Sequence, residues 1–255
     1  MRGGQWSRHT ALGVVLAMLA GPLAAQGRDT LTVFAAADLA HVLETLGPRF
    51  QQQTGTTVVT VVGASGNLAA QIERGAPADV FFSANTAFVD RLITAGVLVP
   101  GTRTLYARGR LALAWPRAGR GLGGLADLLR PEVKRVAIAN PETAPYGMAA
   151  KQALIARGIW DALRPKLVIG ENVRQTLQYA QTGAVEAALV AQSVVAVPEV
   201  AWVPVDAALH APIDQAAAVV ARSAHGRAAA EFIGFVTGEG WAVMEQNGFA
   251  RPAAP

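Results

Sequence analysis

Short apolar runs alternate along this chain with longer stretches whose apolar residues recur every three or four positions. LTVFAA at 31–36, TVVTVV at 57–62 and ADVFFS at 78–83 have strand length. Each leads into a segment of helical period, over about 38–54, 65–74 and 86–95. The second half repeats the alternation, with strands at 111–115, 135–139, 187–190 and 217–221. Helices fall at 125–129, 146–157 and 173–182, and further helices close the chain over 226–247. A glycine-rich loop, GRGLGG at 119–124, separates the strand at 111–115 from the short helix that Pro131 stops. The strands are continuous in Val, Phe and Leu rather than alternating with polar residues. Strands of that character are buried on both faces, so the pattern predicts an α/β protein of two lobes. Its sheets are parallel-rich, helices cover both faces, and a ligand belongs at the carboxyl ends of the strands.

The segment before the first strand follows a different rule. Arg2 and Arg8 precede an apolar stretch, ALGVVLAMLA at 11–20, then the small residues Gly21, Ala24 and Ala25. That is the layout of a secretory signal peptide cut after Ala25, and the apolar stretch falls short of the roughly 20 residues a membrane span needs. A soluble, exported mature protein is expected. Removing residues 1–25 takes two of the 22 basic residues and none of the 18 acidic ones, leaving 20 against 18, or +2. A nearly balanced chain without a block of basic residues has no electrostatic footprint for nucleic acid. The absence of cysteine excludes disulfides and thiolate chemistry, and suits a bacterial periplasm.

Candidate chemistry concentrates at two junctions. The first strand runs into Ala37-Asp38-Leu39, and the second into Gly63-Ala64-Ser65-Gly66-Asn67. Small residues there allow close approach of a ligand to the backbone. The helix N-termini that follow present unpaired N–H groups and a favourable dipole to an anion. Either junction alone reads equally well as an ordinary helix cap, but two in succession on adjacent strands converge on one sheet edge. Gly63-Ala64-Ser65 also evokes the nucleophile elbow of a serine hydrolase, yet Asn67 stands where G-x-S-x-G needs glycine. His41, His210 and His225 show neither a catalytic context nor metal-ligand spacing. A hydrolase using Ser65 is therefore the weaker alternative, and a protein that is not an enzyme the expectation.

Several phrases together carry a resemblance. VFAAADL at 33–39, GASGNLAAQIERGAPADVFFSAN at 63–85, ANPETAPYGMAAKQAL at 139–154, WDALRPKLVIGENVRQTLQYAQTG at 160–183 and NGF at 247–249 occur in that order. With them the chain resembles the periplasmic molybdate-binding proteins of ABC importers, from about residue 31 to 249. The resemblance implies a type-II periplasmic binding protein whose lobes are joined by crossover hinge strands. Residues 1–25 are the signal peptide, residues 26–108 and 212–255 form lobe I, and residues 109–211 form lobe II. It further implies a monomer that captures molybdate, and tungstate of similar size and charge, for a membrane permease, with no resident cofactor. The only metal expected is the one inside the oxyanion. Another oxyanion, phosphate or sulfate, is the alternative within the class.

Carried onto this chain, the oxyanion contacts fall at Asp38 and Ser65 from lobe I, and at Tyr146, Val173 and Ala191 from lobe II. Three of these depart from the family's pattern, which usually has serine at Asp38, a small residue at Tyr146 and tyrosine at Ala191. The last two read as one compensated change in which Tyr146 brings a phenol from the other side of the cleft. A carboxylate touching a dianion repels it. Asp38 is expected to cap its own helix and leave only its amide for the ligand; the alternatives are a protonated carboxyl or a proton shared with the oxyanion. If the Tyr146 phenol meets the anion, Tyr146→Phe should weaken binding by about 1 kcal/mol or more, read by titration calorimetry.

Overall fold

The computed structural model describes residues 29–252, so the expected signal peptide lies outside the described residues. Strand β1 (Thr30–Ala36) leads through a 3-10 turn (Ala37–Leu39) into α1 (Ala40–Thr54). Then come β2 (Thr57–Gly63), α2 (Ser65–Glu73), β3 (Val80–Ser83), α3 (Thr86–Thr94) and β4 (Thr104–Gly109). A single residue, Arg110, separates β4 from β5 (Leu111–Pro116). The chain continues through β6 (Val136–Ala139), α4 (Pro145–Ala156), α5 (Trp160–Leu163), β7 (Leu167–Gly170), α6 (Val173–Gln181), β8 (Ala187–Ala191) and β9 (Val200–Pro204). It closes with β10 (Ile213–Val219), α7 (Gly226–Thr237) and α8 (Trp241–Gln246). Among the described residues no helix is long and apolar enough to cross a membrane.

The strands form two five-stranded sheets, ordered β2-β1-β3-β10-β4 and β7-β6-β8-β5-β9. In the first, β1 is parallel to β2 and β3, while β10 runs antiparallel to β3 and β4. The second repeats the scheme: β6 is parallel to β7 and β8, and β5 is antiparallel to β8 and β9. Both sheets are therefore mixed, with two parallel and two antiparallel pairings each, where parallel-rich sheets were expected; the antiparallel pairings come from β10 and β5, next to the passage between the sheets. The chain leaves the first sheet through β4 and returns to it through β10, and these two strands lie side by side.

The core follows from the alternation of side chains across each strand. On β1, Leu31, Val33 and Ala35 pack with Leu46 and Phe50 of α1, Phe232 and Ile233 of α7, and Met244 of α8. Phe34, on the opposite face, packs with Leu68 and Ile72 of α2 and Leu92 of α3. Helices therefore cover both faces of the first sheet. The C-terminal helices complete its core although the whole second sheet precedes them in the chain.

The structure adds elements that the pattern of hydrophobic positions did not reveal. The apolar pattern did not mark β4, β7 or β9 as strands, although the resemblance implies a crossover strand where β4 lies. All three lie at sheet edges, where a strand has one neighbour and half-exposed side chains weaken the apolar signature. The strand expected at 217–221 spans Ile213–Val219 instead, and includes the polar residues Asp214 and Gln215 that interrupt its apolar pattern. Phe232 is fully buried and meets Phe50 edge-on at 5.0 Å and Phe82 at 5.8 Å. Phe232→Ala should cost about 3–5 kcal/mol of unfolding free energy, measured by urea denaturation followed by tryptophan fluorescence.

Candidate anion-binding site

Four strand-to-helix junctions, two from each sheet, meet at one place. β1 ends at the 3-10 turn and β2 at α2, while β6 leads into α4 and β7 into α6. Ala37, Asp38, Ser65, Tyr146, Asn172 and Val173 from these junctions line a single cavity of about 10 Å³. That is room on the scale of one water molecule. Two hydrogen bonds draw the lobes together beside it: the Gly66 amide donates to Thr143 O at 2.8 Å, and Ser193 Oγ donates to Asp38 O at 2.8 Å. The sequence-predicted residues Asp38, Ser65, Tyr146 and Val173 are therefore brought together. Ala191 is buried at the end of β8 and is not part of the lining.

Each junction leaves donors available for physical reasons. The first amides of a helix have no intrahelical acceptor. In α6 the Asn172 side chain accepts from the amides of Arg174 (3.0 Å) and Gln175 (3.2 Å), which leaves that of Val173 to another acceptor. In α4, Pro145 occupies the first turn without an N–H to lose, and Tyr146 follows it. In α2, the fully buried Ser65 accepts from the Ala84 amide at 3.0 Å, so its hydroxyl proton remains to be donated. His225, by contrast, is engaged with Asp79 at 3.2 Å, in a cluster with Ser223 rather than with Ser65.

Asp38 does not cap a helix: neither the 3-10 turn nor α1 has a side-chain cap. Its carboxyl turns inward, where Oδ2 accepts from Tyr146 Oη at 2.9 Å and from Gln215 Nε2 at 2.7 Å. Gln215 is itself oriented by Tyr106, whose hydroxyl donates to Gln215 Oε1 at 2.5 Å, and Nε2 also reaches Tyr146 Oη at 3.1 Å. Two donors of this network, Tyr146 Oη and Gln215 Nε2, thus converge on Asp38 Oδ2. The Tyr146 phenol crosses from α4 to do this and packs over Gly109 of β4. A Cβ at that position would stand 2.1 Å from Tyr146 Oη, so glycine is required there. The phenol foreseen as an anion donor is committed to Asp38 instead. Sequence reasoning missed Gln215 and Tyr106; a lone glutamine amid the alanines of 213–219 was the available signal.

Asp38 Oδ1 is buried and has no hydrogen-bond partner. Burial pushes the Asp38 carboxyl up from 3.8 to about 6, against the opposing pull of the hydrogen bonds from Gln215 and Tyr146. The amides of Asp38 and Leu39 also favour the charged form, though neither makes a well-aligned bond to Oδ1. Burial and the neighbouring Asp38 charge raise both phenols, Tyr106 and Tyr146, well above their ordinary value. Among the described residues no ion pair includes a cavity-lining side chain, and no group of acidic or histidine residues is arranged to hold a metal ion.

Two α/β lobes joined through neighbouring strands, and closed over a buried cavity at their strand ends, define a type-II periplasmic binding protein. The chain belongs to the bacterial extracellular solute-binding protein family, whose model matches residues 31–250. It is similar to the molybdate-binding protein ModA of Rhodobacter capsulatus, 32% identical over 98% of this chain and 96% of that protein. The Azotobacter vinelandii ModA is 36% identical over 71% of this chain and 72% of its own length. The solved structure of the Azotobacter vinelandii periplasmic molybdate-binding protein superposes with a TM-score of 0.81 at 31% identity, covering 87% of this chain and 99% of that one.

The raised Asp38 carboxyl has a consequence for stability. The folded state binds the proton more tightly than the unfolded state, so stability is full below about pH 4 and is lost as pH rises toward 6. Above pH 6 the ionised carboxyl costs about 3 kcal/mol. Asp38→Asn should therefore raise the unfolding free energy at pH 7 by up to about that amount, and the gain should vanish near pH 4 in parallel urea titrations.

Proposed function

We propose that this chain is the solute-capturing component of an ABC importer, exported to the periplasm, and that it binds molybdate and tungstate. The carrying observation is the convergence of four N-terminal junctions from both lobes on one cavity with no cation in its lining. A site of that kind neutralises an anion with oriented N–H and O–H dipoles, and the closed lobes exclude water that would compete for them. The ModA relatives, alike over nearly the whole chain, support molybdate as the ligand.

In this reading Ser65 donates its hydroxyl proton to an oxyanion oxygen. The amides of Tyr146 and Val173 donate from the second lobe, and Asp38 contacts the anion from the first. Residues 26–108 and 212–255 make lobe I, and residues 109–211 make lobe II. The protein acts as a monomer, has no resident cofactor, performs no catalysis, and hands its anion to a permease in the inner membrane. The Asp38 carboxyl favours one further candidate, hydrogen phosphate, which carries a proton of its own to share.

Thermal unfolding of residues 26–255 with molybdate, tungstate, sulfate, phosphate or no anion tests this. A ligand at a thousand times its dissociation constant stabilises by about 4 kcal/mol, a clear rise in Tm. Molybdate and tungstate should produce it. A shift with phosphate alone would transfer the assignment to phosphate, and no shift with any oxyanion would defeat it.

A further inference from the structure

We infer that Asp38 takes up a proton when the oxyanion is captured, and that its Oδ1–H then donates to an anion oxygen, so that binding is coupled to pH. The inference rests on the oxyanion-binding reading above and deepens it. Oδ2 is saturated by two donors, Tyr146 Oη and Gln215 Nε2, whereas Oδ1 of the same group is buried without a partner in a residue that lines the cavity. Of the two oxygens, only Oδ1 has bonding capacity left for a ligand.

An ionised carboxyl has acceptors only, and a fully deprotonated tetrahedral dianion also has acceptors only. Bringing the two together in a closed cavity would set three negative charges against one another with water excluded. One proton on Oδ1 changes both terms: it removes a charge and converts the unpaired acceptor into a donor aimed at the anion. The balance is simple: one proton from solvent joins the carboxylate, no covalent bond of the anion changes, and the proton leaves again on release.

Among the described residues nothing beside Asp38 offers a competing counter-charge. The titratable groups that face it are the phenols of Tyr106 on β4 and Tyr146 on α4. The basic side chains on the surrounding elements are engaged elsewhere or exposed. Arg108 of β4 pairs with Asp214 of β10 at 2.6 Å, and His41 of α1 pairs with Glu44 at 3.3 Å on the surface. Lys151 of α4 sits over the Trp160 ring, and Arg174 of α6 is exposed. β2 and the turn Gln192–Val194 contain no titratable residue. The carboxyl is already displaced to about 6 by burial, and a dianion beside it displaces it further in the same direction.

The sign of the coupling follows. Affinity is constant below the free-site value near 6 and falls above it, by up to tenfold per pH unit, until the bound-state value is reached. The test is titration calorimetry with micromolar molybdate between pH 5 and 8, in pairs of buffers that differ in ionisation enthalpy. Wild type should take up close to one proton per anion at pH 8 and close to none at pH 5. Asp38→Asn, whose amide supplies the donor permanently, should take up none, should lose the pH slope, and should bind more tightly than wild type at pH 8. Tyr146→Phe removes a donor that favours the charged carboxyl, so its affinity should break at a higher pH than in wild type. Molybdate binding by wild type at pH 8 without proton uptake would overturn the inference while leaving the function intact. Absence of molybdate binding at every pH would overturn the function beneath it. If Asp38→Asn fails to fold, judged by circular dichroism, the wild-type proton count and the Tyr146→Phe break decide the matter.

Discussion

A carboxyl group enclosed by protein, with no cation to meet it, has to be held by dipoles, and Asp38 imposes that demand where the two lobes join. Desolvation of a charge is among the largest unfavourable terms a fold can contain. Here it is offset by donors drawn from separate parts of the chain. The phenol of Tyr146 comes from α4, and the amide of Gln215 comes from β10, itself fixed by Tyr106 of β4. The four residues span both lobes and both strands through which the chain passes between them. Asp38 therefore ties the chemistry of the cavity to the relative placement of the lobes. Gly109 is part of the same solution, since a side chain there would push Tyr146 off its partner.

Much of this architecture is legible in the sequence because burial on both faces of a strand leaves an unmistakable trace. β1, β3, β5, β6 and β8, which carry the sheets' interiors, are short unbroken apolar runs. The edge strand β2 was legible too, although it is mostly exposed or half-exposed; its Val-Thr run owes more to β-propensity than to burial. The remaining edges, β4, β7 and β9, carried less signal, because a chain paired on one side and half-exposed need not be uniformly apolar. The start of β10 was hidden for the opposite reason. Gln215 is fully buried, but as a member of a polar network rather than of the core.

The candidate site divides along similar lines. Asp38, Ser65, Tyr146 and Val173 follow strand ends and open helices or turns, and that local grammar places their backbones at one edge. What local grammar does not contain is the direction of a side chain that answers to a distant partner. Asp38 looked like a cap because aspartate usually is one at such a position. It turns inward because Tyr146 and Gln215, 108 and 177 residues away along the chain, are there to receive it. Tyr146 looked like a donor to a ligand because the family resemblance paired it with Ala191; its sequence neighbours fix where it stands, and not which acceptor it finds.

The passage between the lobes also has a mechanical character. β4 and β10 are hydrogen-bonded neighbours, with Gly109 registered against Ile213 where the chain departs and returns. Two tethers set side by side behave as a leaf spring. They yield readily to bending across their shared width and resist shear and torsion within it. Such a joint would keep the two halves of the cavity in register during any swing of the lobes. In a lobe swing about this joint, the amides of α4 and α6 would return to the same places opposite Asp38 and Ser65, where the bond from Tyr146 to Asp38 meets them.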